Sequence, residues 1–385
     1  MSLFLTIMRK TAETYLDKNE EGTTRAFHTY TVSHLHEFIE VVEDIGRRNQ
    51  FNQVTPPVLW ARGHRQREWN LRPTLLRTGG RNNNMQLKHA SGRALEEELR
   101  KEHYIAKNYH FFQKDLQTSI EWMEVMQHHE VKTRLLDWSE SPLHSLIFSL
   151  QCFMDEKYTQ EDRIKCSPNV WLLDVTGWNM VAIEKILSND LLIDQCVDIL
   201  SASTKHGVKD RIDKIAAPNM LDQYLQVKTV NHLKGIFNLS SVLNEFQQMQ
   251  RNDLEDLLTR GELYYCIIYV LAQTYMKTDL RKYYEVMPLG IVEAYHSERI
   301  RAQRGVFTLF PYYEEDSFYK AAAQAKIYLD SMEFMKNGNR FLHRIRLNNA
   351  EEIAYELINS GMNISWLYPE MPTVSNTIER RGGVL

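Results

Sequence analysis

Thr133-Arg134-Leu135-Leu136-Asp137-Trp138, followed by Ser141-Pro142 and then Leu143, Leu146, Ile147 and Leu150, is the stretch that decides the fold. The first six residues alternate apolar and polar loosely enough to read as an extended segment. Ser141-Pro142 is a good N-cap and N1 pair, since serine accepts from the orphan N–H groups and proline lacks the one it would leave unsatisfied. The four aliphatics behind it fall on one helical face. A strand therefore feeds directly into a helix. The same economy recurs upstream, where the apolar run Val58–Ala61, bounded by Pro56-Pro57 and Gly63, predicts a short strand with Arg62 just after it.

Outward from these two segments, Leu35, Phe38, Ile39, Val42 and Ile45 recur at helical spacing, with Thr31 or Ser33 as N-cap. The runs at 169–176, 289–294, 306–310 and 364–368 predict strands. Residues 341–347 alternate cleanly, with Phe341, His343, Ile345 and Leu347 on one face and Leu342, Arg344 and Arg346 on the other. Asn349 and Glu352 resemble a capping box, and Gly361 is a natural helix stop. Strands and helices are interspersed without a regular βαβ series. No G-x-G-x-x-G follows a strand and no P-loop occurs, which excludes the usual dinucleotide and P-loop folds. The expected class is α+β: small twisted sheets with flanking helices, plus a mostly helical insertion. The organisation expected is an N-terminal arm over 1–30, a first half over 31–182, the helical insertion over 183–284 and a second half over 285–385.

Composition sets the broad class. Of 385 residues 43% are hydrophobic and 25% charged, as in an ordinary globular chain, and the formal net charge is −4. That balance gives no global call for nucleic acid or an acidic membrane. The four cysteines, Cys152, Cys166, Cys196 and Cys266, form no CxxC pair, so reduced thiols are expected. The apolar start reaches Arg9 and Lys10 too soon for a signal peptide, and the run 264–272 is far short of a membrane span. The expected location is cytoplasmic, with no membrane partner.

The chemistry-bearing residues gather in the same segments. Arg62 offers a fixed fork of donors suited to phosphate or carboxylate, and Gly63 lets a ligand or backbone approach closely. The alternative for Arg62 is an internal acidic partner. Arg134 would add charge and Trp138 a stacking face at the N-terminus of the helix after Pro142, where an anion is favoured; against this, Arg134 and Asp137 would pair locally and Trp138 would be core. Gln127-His128-His129 lacks the i,i+4 spacing of metal ligands, so His128 is read as a donor or general base, or as a structural histidine, and no metal is expected. Arg299 and Gln303, ahead of Gly305, either close a polar pocket or form a solvated helix end.

Together these motifs resemble the FRG domain, a family with a Phe-Arg-Gly signature. Trp60-Ala61-Arg62-Gly63 with Trp69-x-Leu71-x-Pro73 resembles its opening motif. Gln127-His128-His129 with Thr133 to Ser139 and Pro142 resembles its second motif. Arg299-Ile300-x-x-Gln303-x-Gly305-x-Phe307-Thr308 resembles a third, and Gly361-Met362-Asn363 with Leu367 to Glu370 the closing one. Ala61 replaces the family's aromatic, and His129-Glu130 stands where Tyr-Gly is usual. A looser likeness, to ADP-ribosyltransferases, implies NAD as cofactor. Under it Arg62 would hold a phosphate and Thr133 take the second role, with Gln303, Glu370 or Glu379 as candidates for the stabilising acid. The resemblance implies catalytic residues Arg62, His128, Thr133, Gln303 and Glu370, and cofactor-binding residues Arg62, Gly63, Gln127, Arg134 and Trp138. It implies a nucleotide or other phosphorylated small molecule as partner, in a bacterial toxin or antiviral effector; the rival is a non-catalytic nucleotide-sensing or protein-interaction module.

Overall fold

A computed structural model of the chain describes residues 12–16, 27–48, 59–74, 123–124, 126–127, 132–187, 287–291, 298–310, 329, 335–336 and 339–368. The expected helical insertion lies outside them except for its first residues, and so do the N-terminal and C-terminal ends.

The organising element is one mixed sheet of seven strands: β1 (His28–Val32), β2 (Leu59–His64), β3 (Leu135–Ser139), β4 (Asn169–Asp174), β5 (Leu289–Ile291), β6 (Gly305–Leu309) and β9 (Leu342–Leu347). Their spatial order is β1-β9-β4-β2-β3-β6-β5. A two-residue hairpin, β7 (Met335–Lys336) with β8 (Asn339–Arg340), stands apart. β1 runs parallel to β9 and every other neighbouring pair is antiparallel. The fold is α+β, with a single large sheet in place of several small ones. Strands from both ends of the sequence alternate in it, so residues before 183 and after 284 share one core.

Seven helices accompany the sheet among the described residues: α1 (Leu35–Arg48), α2 (Pro142–Ser149), α3 (Gln151–Met154), α4 (Gln160–Lys165), α5 (Val175–Leu187), α6 (Glu298–Ala302) and α7 (Ala350–Asn359). α1 buries Phe38, Val41 and Ile45 at helical spacing. Its start is held by the Glu37 carboxylate, which accepts from the N–H groups of Ser33 and His34. α7 stops where expected: Gly361 takes φ 85°, its N–H reaches the Ile358 carbonyl, and the Met362 N–H reaches Leu357. That is a Schellman stop, which needs a residue tolerant of the left-handed region. Asn349 precedes α7 but its side chain caps nothing.

One face of the sheet carries Tyr30, Val32, Leu59, Ala61, Val170, Leu172, Ile345 and Leu347. It packs against Phe38, Val41 and Ile45 of α1, Leu146 and Ile147 of α2, and Ile353, Ala354 and Leu357 of α7. Burial of these aliphatics, at about 25 cal/mol per Å² of apolar area, is the main stabilising term of this layer. The run at 364–368 forms a 3-10 turn, Ile364–Trp366, and not the strand its composition predicts. Asn363 caps that turn by accepting from the Ser365 N–H, a local bond that competes with strand pairing.

Candidate functional site

β2 and β3 meet at only one pair of residues, Ala61 opposite Ser139, whereas β2 pairs with β4 at six consecutive positions. In a continued antiparallel ladder Asp137 would face Gly63. The strands part instead, and the Arg62 side chain bridges the gap. Its Nη1 donates to the main-chain carbonyl of Asp137 at 2.5 Å and lies 3.5 Å from the Asp137 carboxylate. Its Nε donates to His64 Nε2 at 3.1 Å, which places the imidazole proton of a neutral His64 on Nδ1. Arg62 and His64 are two apart on β2 and share a face. Arg62 therefore lies within β2, not beyond its end.

Asp137 connects this group to the second motif. Gln127 Nε2 donates to Asp137 Oδ1, and the Thr133 hydroxyl donates to Gln127 Oε1. Thr133 Oγ1 also accepts the Leu135 N–H at 3.2 Å, which fixes its rotamer at the start of β3. A continuous chain of hydrogen bonds thus runs Thr133–Gln127–Asp137–Arg62–His64. The Arg62 side chain is only 17% exposed and the Asp137 carboxylate 54%. A mostly covered cation sits behind an open carboxylate, an arrangement that an incoming anion can enter by displacing the carboxylate.

The other expected site residues go elsewhere. Arg134 is buried and donates to the Phe310 carbonyl at the end of β6. It does not pair with Asp137, whose cation is Arg62. Trp138 is buried, its Nε1 donating to Thr308 Oγ1 at 3.1 Å, so its ring is part of the core and offers no stacking face. Gly63 does serve a close approach, but to α2: a Cβ there would lie 1.9 Å from the Ser145 carbonyl oxygen and 2.7 Å from the Ser149 nitrogen. Gln303 accepts the Ser139 hydroxyl through its carbonyl and donates Nε2 to the Leu367 carbonyl at 2.9 Å, stapling the closing segment to β3. His128 and Glu370, like Glu379, lie outside the described residues.

The N-terminus of α2 is closed by its own chain. Ser141 Oγ accepts the His144 N–H, and Ser139 Oγ accepts the Ser141 N–H at 3.0 Å. Burial holds the His144 imidazole below its ordinary pKa, against a hydrogen bond with the Gln303 backbone and with help from the Arg304 charge. Among the described residues no group of three or more His, Cys, Asp or Glu side chains could hold a metal ion. Among them too, no helix is long and apolar enough to cross a membrane. Cys152 and Cys166 are free thiols; burial, and then a hydrogen bond with Cys152, pushes Cys166 up to about 12.

Residues 58–157, which hold β2, β3 and the chain of hydrogen bonds between them, match the FRG domain family. The chain carries an FRG domain. No curated protein and no solved structure matches the chain. The FRG match takes in Arg62 and Gly63 as well as Gln127 and Thr133. It ends before the third and closing motifs, although their segments supply β6 and the Leu367 carbonyl to the same fold.

Two members of this hydrogen-bonded group are not among the site residues expected from the sequence, although Asp137 lies inside the second motif. His64 carries a signal only once Arg62 is known to be inside the strand, since residues i and i+2 then share a face. Asp137 carries a clearer one: it is the single exposed residue in a strand of otherwise buried side chains, Leu135-Leu136-Asp137-Trp138-Ser139.

Proposed function

We propose that this FRG domain binds a nucleotide-type anion where β2 and β3 part, with Arg62 as the cation that receives it. The observation that supports this is the Arg62 guanidinium bridging two strands toward a carboxylate that is open to water. A phosphate would make a bidentate pair with the fork in place of the single 3.5 Å approach of Asp137. Gln127 and Thr133, already aligned on Asp137, would orient that carboxylate.

The reaction this arrangement fits is cleavage of the ribose–nicotinamide bond of NAD, either to water or by ADP-ribosyl transfer to an acceptor. Charge then develops on the ribose carbon as nicotinamide leaves. The Asp137 carboxylate lies 3.5 Å from the Arg62 guanidinium and would stabilise that charge. NAD depletion would suit a toxin or an antiviral effector. A specific observation favours the rival, a non-catalytic nucleotide-binding module: Asp137 is engaged by both Gln127 and Arg62 and so is restrained from reacting. Incubation of purified protein with NAD separates the two. Nicotinamide release that disappears in Asp137→Asn supports catalysis, and binding of ADP-ribose without release supports the module.

A further inference from the structure

One contact of the Arg62 guanidinium involves neither Asp137 nor the gap between β2 and β3. Its Nε–H donates to His64 Nε2 at 3.1 Å. An arginine Nε–H only donates, so Nε2 carries the lone pair and Nδ1 the proton. His64 is 2% exposed. A second proton on that ring would set two donors against each other in a covered place, which burial disfavours. His64 therefore presents a fixed acceptor, two positions along β2 from the arginine it holds and on the same face.

His64 is itself held from outside. β2 ends there, and the chain turns over residues 65–69. The Ser167 N–H donates to the Arg65 carbonyl at 3.0 Å, Gln66 bridges to Ser167, and the Trp69 N–H donates to the Gln66 carbonyl at 3.3 Å. That turn brings the indole back onto the imidazole, with ring centroids 5.9 Å apart and planes at 66°, an edge-to-face contact. Trp69 is 46% exposed, so core packing does not fix it. A stack does. The Arg65 guanidinium lies 5.7 Å from its ring centroid and 5.4 Å from that of Tyr158, and Arg65 Nη1 donates to the Tyr158 hydroxyl at 2.5 Å. Tyr158, Arg65, Trp69, His64 and Arg62 thus touch in succession.

We propose that His64 is the positioning residue of the anion site, and that Trp69 fixes His64 in that role. This rests on the reading of Arg62 as the cation that receives a nucleotide-type anion, and adds what holds that cation ready. A loose arginine side chain gives up rotamer freedom when a ligand fixes it, and that loss weakens binding; a side chain already held gives it up during folding. His64 holds the fork at Nε and the Asp137 carbonyl holds it at Nη1. Two anchors set the guanidinium plane, so an anion that displaces the Asp137 carboxylate meets the fork without turning it. His64 touches neither the ligand nor the reacting atoms; it acts through Arg62. What the role requires is an acceptor at the position of Nε2, which glutamine supplies with Oε1 and leucine does not.

The test titrates the full chain and its His64→Leu, His64→Gln and Trp69→Leu variants with ADP-ribose in a calorimeter, with a melt of each protein, beside ¹⁵N spectra of the wild-type imidazole nitrogens at neutral pH. His64→Leu should bind roughly three- to tenfold more weakly, the scale of one side chain left for the ligand to order. His64→Gln should recover most of that loss. Trp69→Leu, at an exposed position, should melt near wild type and bind about threefold more weakly. The spectra should show His64 protonated on Nδ1, with Nε2 bare. Equal affinity in His64→Leu and wild type, or a loss as large in His64→Gln, would overturn this inference and leave Arg62 as the anion site. Full affinity in Trp69→Leu would overturn the role given to Trp69. A wild-type His64 protonated on Nε2 would overturn the inference even where the variants fail to fold. Wild type that binds no ADP-ribose would remove the Arg62 site and this inference together.

Discussion

Replacing Gly63 by Ala separates a glycine that admits a ligand from one that admits a helix. The added Cβ would sit 1.9 Å from the Ser145 carbonyl oxygen, roughly 1.5 Å inside ordinary van der Waals distance. The atom it meets is main chain, as is the Ser149 nitrogen at 2.7 Å, so no rotamer change relieves the overlap. α2 has to move away from β2, and it carries Leu146 and Ile147 into the core with Leu150 just beyond, all at 0% exposure. Burial of each is worth roughly 2 kcal/mol. A gap of 0.5–1 Å forfeits about a quarter to a half of the contact energy. Three side chains on that scale place the cost at about 1.5–3 kcal/mol, a fall in Tm of roughly 2–4 °C for a chain of 385 residues. Thermal unfolding followed by circular dichroism reads it directly, and ADP-ribose affinity of the folded variant should change little. A variant as stable as wild type that has lost ligand affinity would refute the reasoning and return Gly63 to the ligand.

Arg134→Leu should lower stability by roughly 1–3 kcal/mol, because the buried Phe310 carbonyl loses its charged donor, and should leave anion affinity within twofold; urea unfolding beside calorimetry checks it, and lost affinity at full stability would count against the assignment. Glu356→Gln should alter the pH dependence of stability. The hydrogen bond to Glu356 raises His34 above 6.5, so its stabilisation is complete below that value and is lost as pH climbs through the raised pKa. In Glu356, burial pushes upward but is outweighed by the Leu35 N–H and His34, so its pKa falls below 4.5; its stabilisation is complete above that value and is lost as pH drops through the lowered one. The Tm difference between variant and wild type should therefore be largest between pH 4.5 and 6.5 and shrink at higher pH; a difference flat from pH 5 to 9 would contradict the pairing. Asp137→Asn should leave folding within about 1 kcal/mol, since the Arg62 pair it weakens is half open to solvent, and thermal melts test this.

Much of the fold is legible because its signals are local. The strand into helix at β3 and α2 follows from Ser141-Pro142 and four aliphatics, and Gly361 stops α7 because few residues accept its backbone conformation. β1 is not legible: His28-Thr29-Tyr30-Thr31-Val32 is short, and its parallel partner β9 lies more than three hundred residues away. The strand expected at 364–368 gives way to a turn because Asn363 caps it. The site divides in the same manner. Arg62, Gln127 and Thr133 stand out as hydrogen-bonding types beside strand and helix ends, and they do meet. Arg134 and Trp138 carry the same signal but are taken up by Phe310 and Thr308, partners that only the register of β3 against β6 supplies.

The central claim is that Arg62 receives an anion where β2 and β3 part. Isothermal titration of wild type and Arg62→Ala with ADP-ribose tests it most directly, with a melt of each protein to establish folding. Loss of a charge-assisted contact worth about 1.5–3 kcal/mol predicts an affinity reduced roughly ten- to hundredfold. The accompanying fall in stability should be small, because the acid released is already exposed to water. A variant that melts far below wild type, yet binds ADP-ribose as tightly when folded, would make Arg62 a structural bridge between two strands and contradict the account.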